Sequence, residues 1–327
     1  MRKSSMEMMQ ADPDVRVVPV NNETGFFACN FTPQAFREGH WNTHTINARG
    51  LFVNTDGHVV QRGFEKFFAV DETPATQYDK VITHGDVNPQ AYPVRVERKE
   101  NGFLGLIGAA QEHGRFRFWS KSGQTDYSAL IERLFPKDSD VRERLWLRLR
   151  AWNDTAACEV IDMESDRHIV GYDNSGLRLL HLIRNRQDFA IDYAHEEEFT
   201  EIGGFQRPEV VAICNSAAEV AKAIDDARQT TREGVVLYFS DGCMVKVKSD
   251  HYKLVKSMRP LLQRVVLRGR SFNKAGEIAD LARQVIDYAK LHDIDLTYQR
   301  QAFGERDIDM IAAGAILSAI LRDKPML

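Results

Sequence analysis

Three Asx-Gly pairs, Asp56-Gly57, Asn101-Gly102 and Asp241-Gly242, each interrupt a stretch in which apolar and polar residues alternate. Such pairs accept the positive φ angles of a tight turn, and the flanking alternation has the two-residue period of a strand. Each therefore predicts an antiparallel hairpin, over residues 48–64, 94–107 and 233–249. Further strand-like runs fall at 116–123, 156–161, 168–172 and 177–183. Helical periodicity fills much of the remainder. Residues 137–152 carry Val141, Leu145 and Leu149 at four-residue steps behind an N-cap at Asp138 or Ser139. Residues 216–229 open on a Ser216-x-x-Glu219 capping box.

The predicted fold class is thus α+β, an antiparallel-sheet domain followed by helices. Residues 71–93, with Pro74, Pro89 and Pro93, read as a polar connector holding at most one strand fragment. Residues 1–15, polar and methionine-rich, read as a flexible N-terminus. From Tyr252 the pattern turns helical: a basic segment with Arg259, Arg264, Arg268, Arg270 and Lys274 precedes apolar stripes at Ile278, Leu281, Val285 and Ala289 and at Ile308, Ile311, Ala315 and Ala319. The expected division is a main domain at 16–257 and a small all-helical C-terminal domain at 258–327.

A chain of 327 residues suits one large domain and a smaller one. Its net charge of −4 creates no global basic field, so any nucleic acid must be met by local patches. Cys29, Cys158, Cys214 and Cys243 form no C-x-x-C pair, which argues against a zinc site and against a dense disulfide framework, and favours a cytoplasmic setting. The longest apolar run, 311–321, falls short of the ~20 residues that span a bilayer, so no membrane role is expected.

Several residues carry chemistry. Lys99, in Lys99-Glu100-Asn101-Gly102, ends a predicted strand, where ladder and turn hold its amine in place; alone, the same motif also describes a surface hairpin with a solvated lysine. Glu159 interrupts an apolar strand and faces away from Cys158 and Val160, as a carboxylate lining a cleft would. Lys246 and Lys248 share one face of a strand, which suits an anion between them or an edge strand that resists aggregation.

The order of motifs narrows the choice. Ala48-Arg49-Gly50-Leu51-Phe52, Phe64-Glu65-Lys66-Phe67-Phe68, the Lys99 motif, Cys158-Glu159-Val160, Glu233-Gly234-Val235-Val236 and Val245-Lys246-Val247-Lys248-Ser249 follow one another at set spacings. Over residues 26–257 the chain resembles the ATP-dependent RNA ligases of the phage and fungal tRNA-repair type, within the covalent nucleotidyltransferase superfamily. The resemblance implies an ATP-grasp-like ligase domain in which Lys99 attacks the α-phosphate of ATP to form lysyl-AMP. It implies phosphate contacts from Arg49 and Lys66, packing of Phe68 near the base, and a ribose contact from Glu159. Glu100, Gly102, Glu233, Lys246 and Lys248 complete the implied ATP site. Lys121 and Tyr252 are candidate phosphate or RNA contacts, and Mg²⁺ or Mn²⁺ would be held through water from Glu159 or Glu233. Lysine is protonated at neutral pH, its ordinary pKa being about 10.4, so the nucleophile needs cations such as Lys246, Lys248, Arg49 or a metal nearby.

The implied partners are RNA 3′-hydroxyl and 5′-phosphate ends, tRNA among them. Separate end-healing enzymes are implied too, since no P-loop and no paired H-x-T motif occurs. Asn101 stands where many of these ligases have aspartate, although the fungal type uses asparagine, and the short helical tail leaves tRNA specificity open. A DNA ligase or capping enzyme would add a β-barrel after the last motif, and the pattern after Tyr252 lacks its strands. A binding protein that kept the ligase shell without catalysis is the other alternative; the intact set of Lys99, Glu159, Glu233, Lys246 and Lys248 argues against it.

Overall fold

The computed structural model describes residues 5–271 and 275–323. They fall into two compact units, one running through Phe67 with Phe103–Val160 and Gly176–Pro208, the other comprising Phe68–Gly102, Ile161–Ser175 and the chain from Glu209.

In the first unit, strands Val15–Pro19, Phe26–Phe31, Arg49–Asn54 and Val59–Arg62 form an antiparallel meander. The Asp56-Gly57 hairpin forms as predicted, with Leu51 opposite Arg62 and Gly57 at φ 80°. A second sheet has the order Gly176–Arg184, Asp154–Ile161, Phe103–Ala109, Phe116–Ser120. Its core gathers Ile107, Phe118, Val160 and Leu179 with Leu145 and Leu149 of helix Ser139–Trp152. Asp138 starts that helix, its Oδ1 accepting from the Asp140 and Val141 N–H groups at 3.0 Å each. Phe118 and Trp119 are buried, and Trp119 rests on Phe52 with ring centroids 4.6 Å apart.

Of the flexible terminus expected over residues 1–15, residues 1–4 lie outside the described residues, and the rest is ordered. Ser5–Ala11 is a helix, and Met9 is buried against Val15, Cys29 and Leu51, because Met6 and Met9 lie three apart on one helical face.

In the second unit, a five-stranded sheet has the order Val210–Cys214, Val94–Arg98, Gly234–Phe239, Met244–Lys248, Phe68–Ala69. The Asp241-Gly242 hairpin sets Val236 opposite Lys246, with Gly242 at φ 92°. Helix Ala217–Gln229 packs Val220 and Ile224 onto the sheet's Val96 and Leu237. The connector at 71–93 is more ordered than expected. Helices Tyr78–Ile82 and His84–Val87 and the 3-10 turn Pro89–Ala91 bring Val81 and Ala91 into the same core.

Helices Asp250–Leu262, Glu277–Leu291 and Met310–Asp323 close around a further core of Val255, Met258, Leu281, Val285 and Ile316. A short hairpin, Thr297–Arg300 with Glu305–Ile308, stands between the last two helices, so the run after 258 is mainly rather than wholly helical, and Ile308 ends a strand. Lys274 lies outside the described residues. Among the described residues no helix is long and apolar enough to cross a membrane.

Two sequence expectations fail together. The runs flanking Asn101-Gly102 do not form a hairpin: Val94–Arg98 pairs with Val210–Cys214 and Gly234–Phe239, whereas Phe103–Ala109 pairs with Phe116–Ser120 and Asp154–Ile161. Residues 168–172 are irregular rather than a strand. One residue, Asn101, accounts for both.

Candidate functional site

In the second unit, Lys99 follows the Val94–Arg98 strand and stays in register with it, its N–H donating to the Gly234 carbonyl at 2.9 Å. Its Nζ lies 3.0 Å from Glu233 Oε1; the lysine side chain is 22% exposed and the carboxylate 5%. The other carboxylate oxygen, Oε2, accepts from Asn101 Nδ2 at 2.7 Å. Glu233 is thus fixed from both sides.

Asn101 itself is buried. Its Oδ1 accepts from the Ile169 and Val170 N–H groups at 2.8 and 2.9 Å, its Nδ2 also reaches the Tyr252 hydroxyl at 3.3 Å, and its backbone N–H donates to the Tyr172 hydroxyl at 2.7 Å. Ile169 and Val170 therefore give their donors to a side chain, not to a ladder, which is why 168–172 is no strand. The Asn101 N–H goes to a phenol rather than across a turn, which is why 101–102 is no hairpin.

Gly234 lets the chain pass here. At φ +135° it approaches the second hairpin strand so closely that a Cβ would lie 1.9 Å from the Val247 carbonyl oxygen. On that second strand Val245 and Val247 are buried in the core, leaving Lys246 and Lys248 on the other face. Burial lowers the pKa of Lys248, the charge of Lys256 lowers it further, and Lys99 adds to this while Glu233 opposes it. Lys99, Lys248 and Glu233 therefore form one electrostatic group. Lys246 Nζ is 3.9 Å from Glu72. Tyr252 is buried, with the Lys248 and Lys256 amines 6.0 and 5.7 Å from its ring centre, so it supports the lysines rather than standing open to a polymer. Glu100 is buried, Gly102 is partly buried, and Phe68 is half-buried opposite Val245.

In the first unit, Arg49 donates from Nη1 to the Phe64 carbonyl at 3.3 Å. Burial lowers its pKa and the Glu159 carboxylate raises it. Lys121 is lowered by burial and then by the charge of Arg49. Arg49, Lys121 and Glu159 thus form a second group, two positive charges and one negative. Glu159 lies on a strand whose eight residues are all buried, and Arg49 is its countercharge. Lys66 is buried, its Nζ 4.9 Å from the centre of a Trp41 ring.

Carboxylates are the natural ligands for Mg²⁺ or Mn²⁺. Both oxygens of Glu233 already have protein partners, Lys99 and Asn101, so an ion there would be held through water and not by displacing either contact. The sequence reading missed Asn101, which it treated as a turn residue. The asparagine in place of the usual aspartate was a usable signal. Tyr172 gave none, because its partner is 71 residues away in the chain.

A family model described as RNA ligase matches residues 47–253. The tRNA ligase 1 of Schizosaccharomyces pombe is 30% identical over 238 residues, which make up 66% of this chain and 29% of that protein. The chain therefore spans under a third of that curated relative. Among solved structures, an archaeal ATP-dependent RNA ligase matches with a TM-score of 0.54 at 15% identity, covering 98% of this chain and 96% of the other. A protein of Aquifex aeolicus described as an ATP-dependent DNA ligase matches with a TM-score of 0.52 at 11% identity, covering 98% and 99%. These two likenesses carry the fold, an α+β antiparallel-sheet ligase domain.

Proposed function

This chain belongs to the RNA ligase family, and we propose on that premise that it joins an RNA 3′-hydroxyl to an RNA 5′-phosphate at the expense of ATP. The observation that carries the proposal is the Lys99 amine 3.0 Å from Glu233, a carboxylate that Asn101 holds from its far side.

Lys99 Nζ attacks the α-phosphorus of ATP; the N–P bond forms, the bond to pyrophosphate breaks, and AMP is left on Lys99 as a phosphoramidate. The ammonium must first lose a proton, and Glu233 Oε1 is the base within hydrogen-bond reach. Lys248 and Lys246 stabilise charge that develops on the phosphates, and the half-buried setting of Lys248 strengthens its effect. An RNA 5′-phosphate oxygen then displaces Lys99 from the AMP phosphorus, and the 3′-hydroxyl of a second end displaces AMP. A divalent ion, Mg²⁺ or Mn²⁺, supplies Lewis-acid stabilisation of phosphate charge when bound, with Glu233 or Glu159 holding it through water.

Arg49, Lys66, Phe68, Glu100, Gly102 and Glu159 are carried as nucleotide contacts on the resemblance of their motifs, and Lys121 as a phosphate contact. Residues 258–327 are carried as a C-terminal domain. The setting that fits is RNA repair in the cytoplasm, tRNA among its substrates, with separate enzymes preparing the ends.

The test is sealing of a labelled strand with a 5′-phosphate and a 3′-hydroxyl, offered as RNA and as DNA of the same sequence, with ATP and Mg²⁺. Sealed RNA, lost in Lys99→Ala, is the result expected. Sealing of DNA in preference to RNA overturns the substrate, and sealing undiminished in Lys99→Ala overturns the mechanism.

A further inference from the structure

A second cluster, in the first unit, is used by none of this chemistry. Asp154 opens the Asp154–Ile161 strand and is 1% exposed; among the described residues no N–H donor reaches either of its carboxylate oxygens, and its hydrogen-bonding neighbour is the Asp192 carboxyl. Beside it stands Asp192, 2% exposed, whose Oδ2 accepts from Arg184 Nη2 at 2.8 Å and lies 2.7 Å from His195 Nδ1. One ligand atom from each of Asp154, Asp192 and His195 can be chosen so that all three lie within 4.8 Å of one another. His195 precedes helix Glu196–Gly203, and its ring stacks on Trp152 with centroids 4.2 Å apart and planes 12° from parallel.

Two carboxylates buried together need more positive charge than they have. Arg184 and His195 both address Asp192, and Asp154 has the Asp192 carboxyl beside it but no ion pair of its own among the described residues, although a buried carboxylate is tolerated only when it is paired, bound to a metal or neutralised by a proton. Two carboxylate oxygens and an imidazole nitrogen suit Zn²⁺ or Mn²⁺ better than Mg²⁺ or Ca²⁺, which take oxygen alone. The outer contacts of a metal site are also in place, Arg184 orienting Asp192 and Trp152 holding the His195 plane. The His195 side chain is 33% exposed, which gives an ion a way in. We propose that Asp154, Asp192 and His195 bind one divalent ion of the Zn²⁺ or Mn²⁺ class. The ion ties the end of helix Ser139–Trp152 and the strand after it to the start of helix Glu196–Gly203, and so stabilises the first unit.

The experiment uses the full chain, stripped with chelator and dialysed, without ATP. Zn²⁺, Mn²⁺ and Mg²⁺ are titrated by calorimetry while melting temperature is followed, in the parent, in Asp154→Asn and in Glu233→Gln. The result expected is one tight Zn²⁺ or Mn²⁺ per chain with a raised melting temperature, kept in Glu233→Gln and weakened at least ~100-fold in Asp154→Asn, whose side chain has the same shape without the charge. Circular dichroism of the stripped Asp154→Asn chain separates lost binding from lost folding. Equal binding by Asp154→Asn and the parent, or no binding by the folded parent, overturns the proposal and leaves the two aspartates sharing a proton.

Discussion

Replacing Asn101 by aspartate exchanges one heavy atom, the amide nitrogen for an oxygen, in a buried place and tests how the nucleophile is held. In the parent, Asn101 Nδ2 donates to Glu233 Oε2 at 2.7 Å. In Asn101→Asp, two carboxylate oxygens would meet at that distance, which costs ~6 kcal/mol at an effective dielectric constant of about 20. The folded variant has a cheaper course, which is to bind one proton between the pair. From an ordinary glutamate pKa of about 4.3, that costs ~4 kcal/mol at pH 7.5. The cheaper route sets the penalty, and the Lys99 amine on the other oxygen offsets part of it.

The sign follows from proton linkage. The folded variant holds one more proton than its unfolded chain at neutral pH, so its stability relative to the parent falls as pH rises, by up to about 1.4 kcal/mol per unit, and the deficit fades near pH 4.5. Asn101→Ala is the control. It leaves the Ile169 and Val170 N–H groups without their acceptor, at ~1–3 kcal/mol, and brings in no second carboxylate whose protonation would make the deficit keep growing up to pH 8. Urea titrations of the three proteins from pH 4.5 to 8 measure this. A deficit in Asn101→Asp that does not change with pH, or that never exceeds that of Asn101→Ala, would refute the contact.

Other consequences can be checked quickly. Gly234→Ala forces a Cβ against the Val247 carbonyl at a positive φ, so a loss of ~3 kcal/mol or more in chemical denaturation is expected. Asp138→Ala removes the acceptor for two N–H groups at the start of Ser139–Trp152 and costs ~1 kcal/mol in the same assay. Burial pushes the Cys29 thiol up to about 12 and raises Cys158 and Cys214 as well, so at pH 8 an aromatic disulfide reagent should titrate the partly exposed Cys243 rapidly and all four thiols only after denaturation. Lys248→Met should keep the fold and lower the rate of Lys99 adenylylation by at least ~100-fold, read by single-turnover labelling.

The features legible in the sequence were those set by neighbours in the chain. Asp56-Gly57 and Asp241-Gly242 form their hairpins because their turns and strand partners are local. The Asp138 cap and the Leu145–Leu149 stripe follow from periods of three and four residues. Asn101-Gly102 looked the same and behaves otherwise, because contacts 68 to 151 residues away claim the asparagine. The short helices between residues 71 and 93 carry too few turns to show a stripe, and packing of Val81 and Ala91 fixes them. In the candidate site, Lys99, Glu233 and Lys248 were legible as motif residues and are found together, whereas Tyr252, read as an RNA contact, is buried under the lysines. A buried hydroxyl and an exposed one have the same letter.

The central claim is that Lys99 becomes covalently bonded to AMP. The direct measurement is intact-protein and peptide mass spectrometry after incubation with ATP and Mg²⁺, beside the same protein first stripped with pyrophosphate and beside Lys99→Ala. The mechanism predicts a mass increase of one AMP on the stripped parent, acid-labile and mapped to Lys99, and none on Lys99→Ala. An AMP adduct on another residue, or none on a parent shown to be folded and stripped, would contradict it.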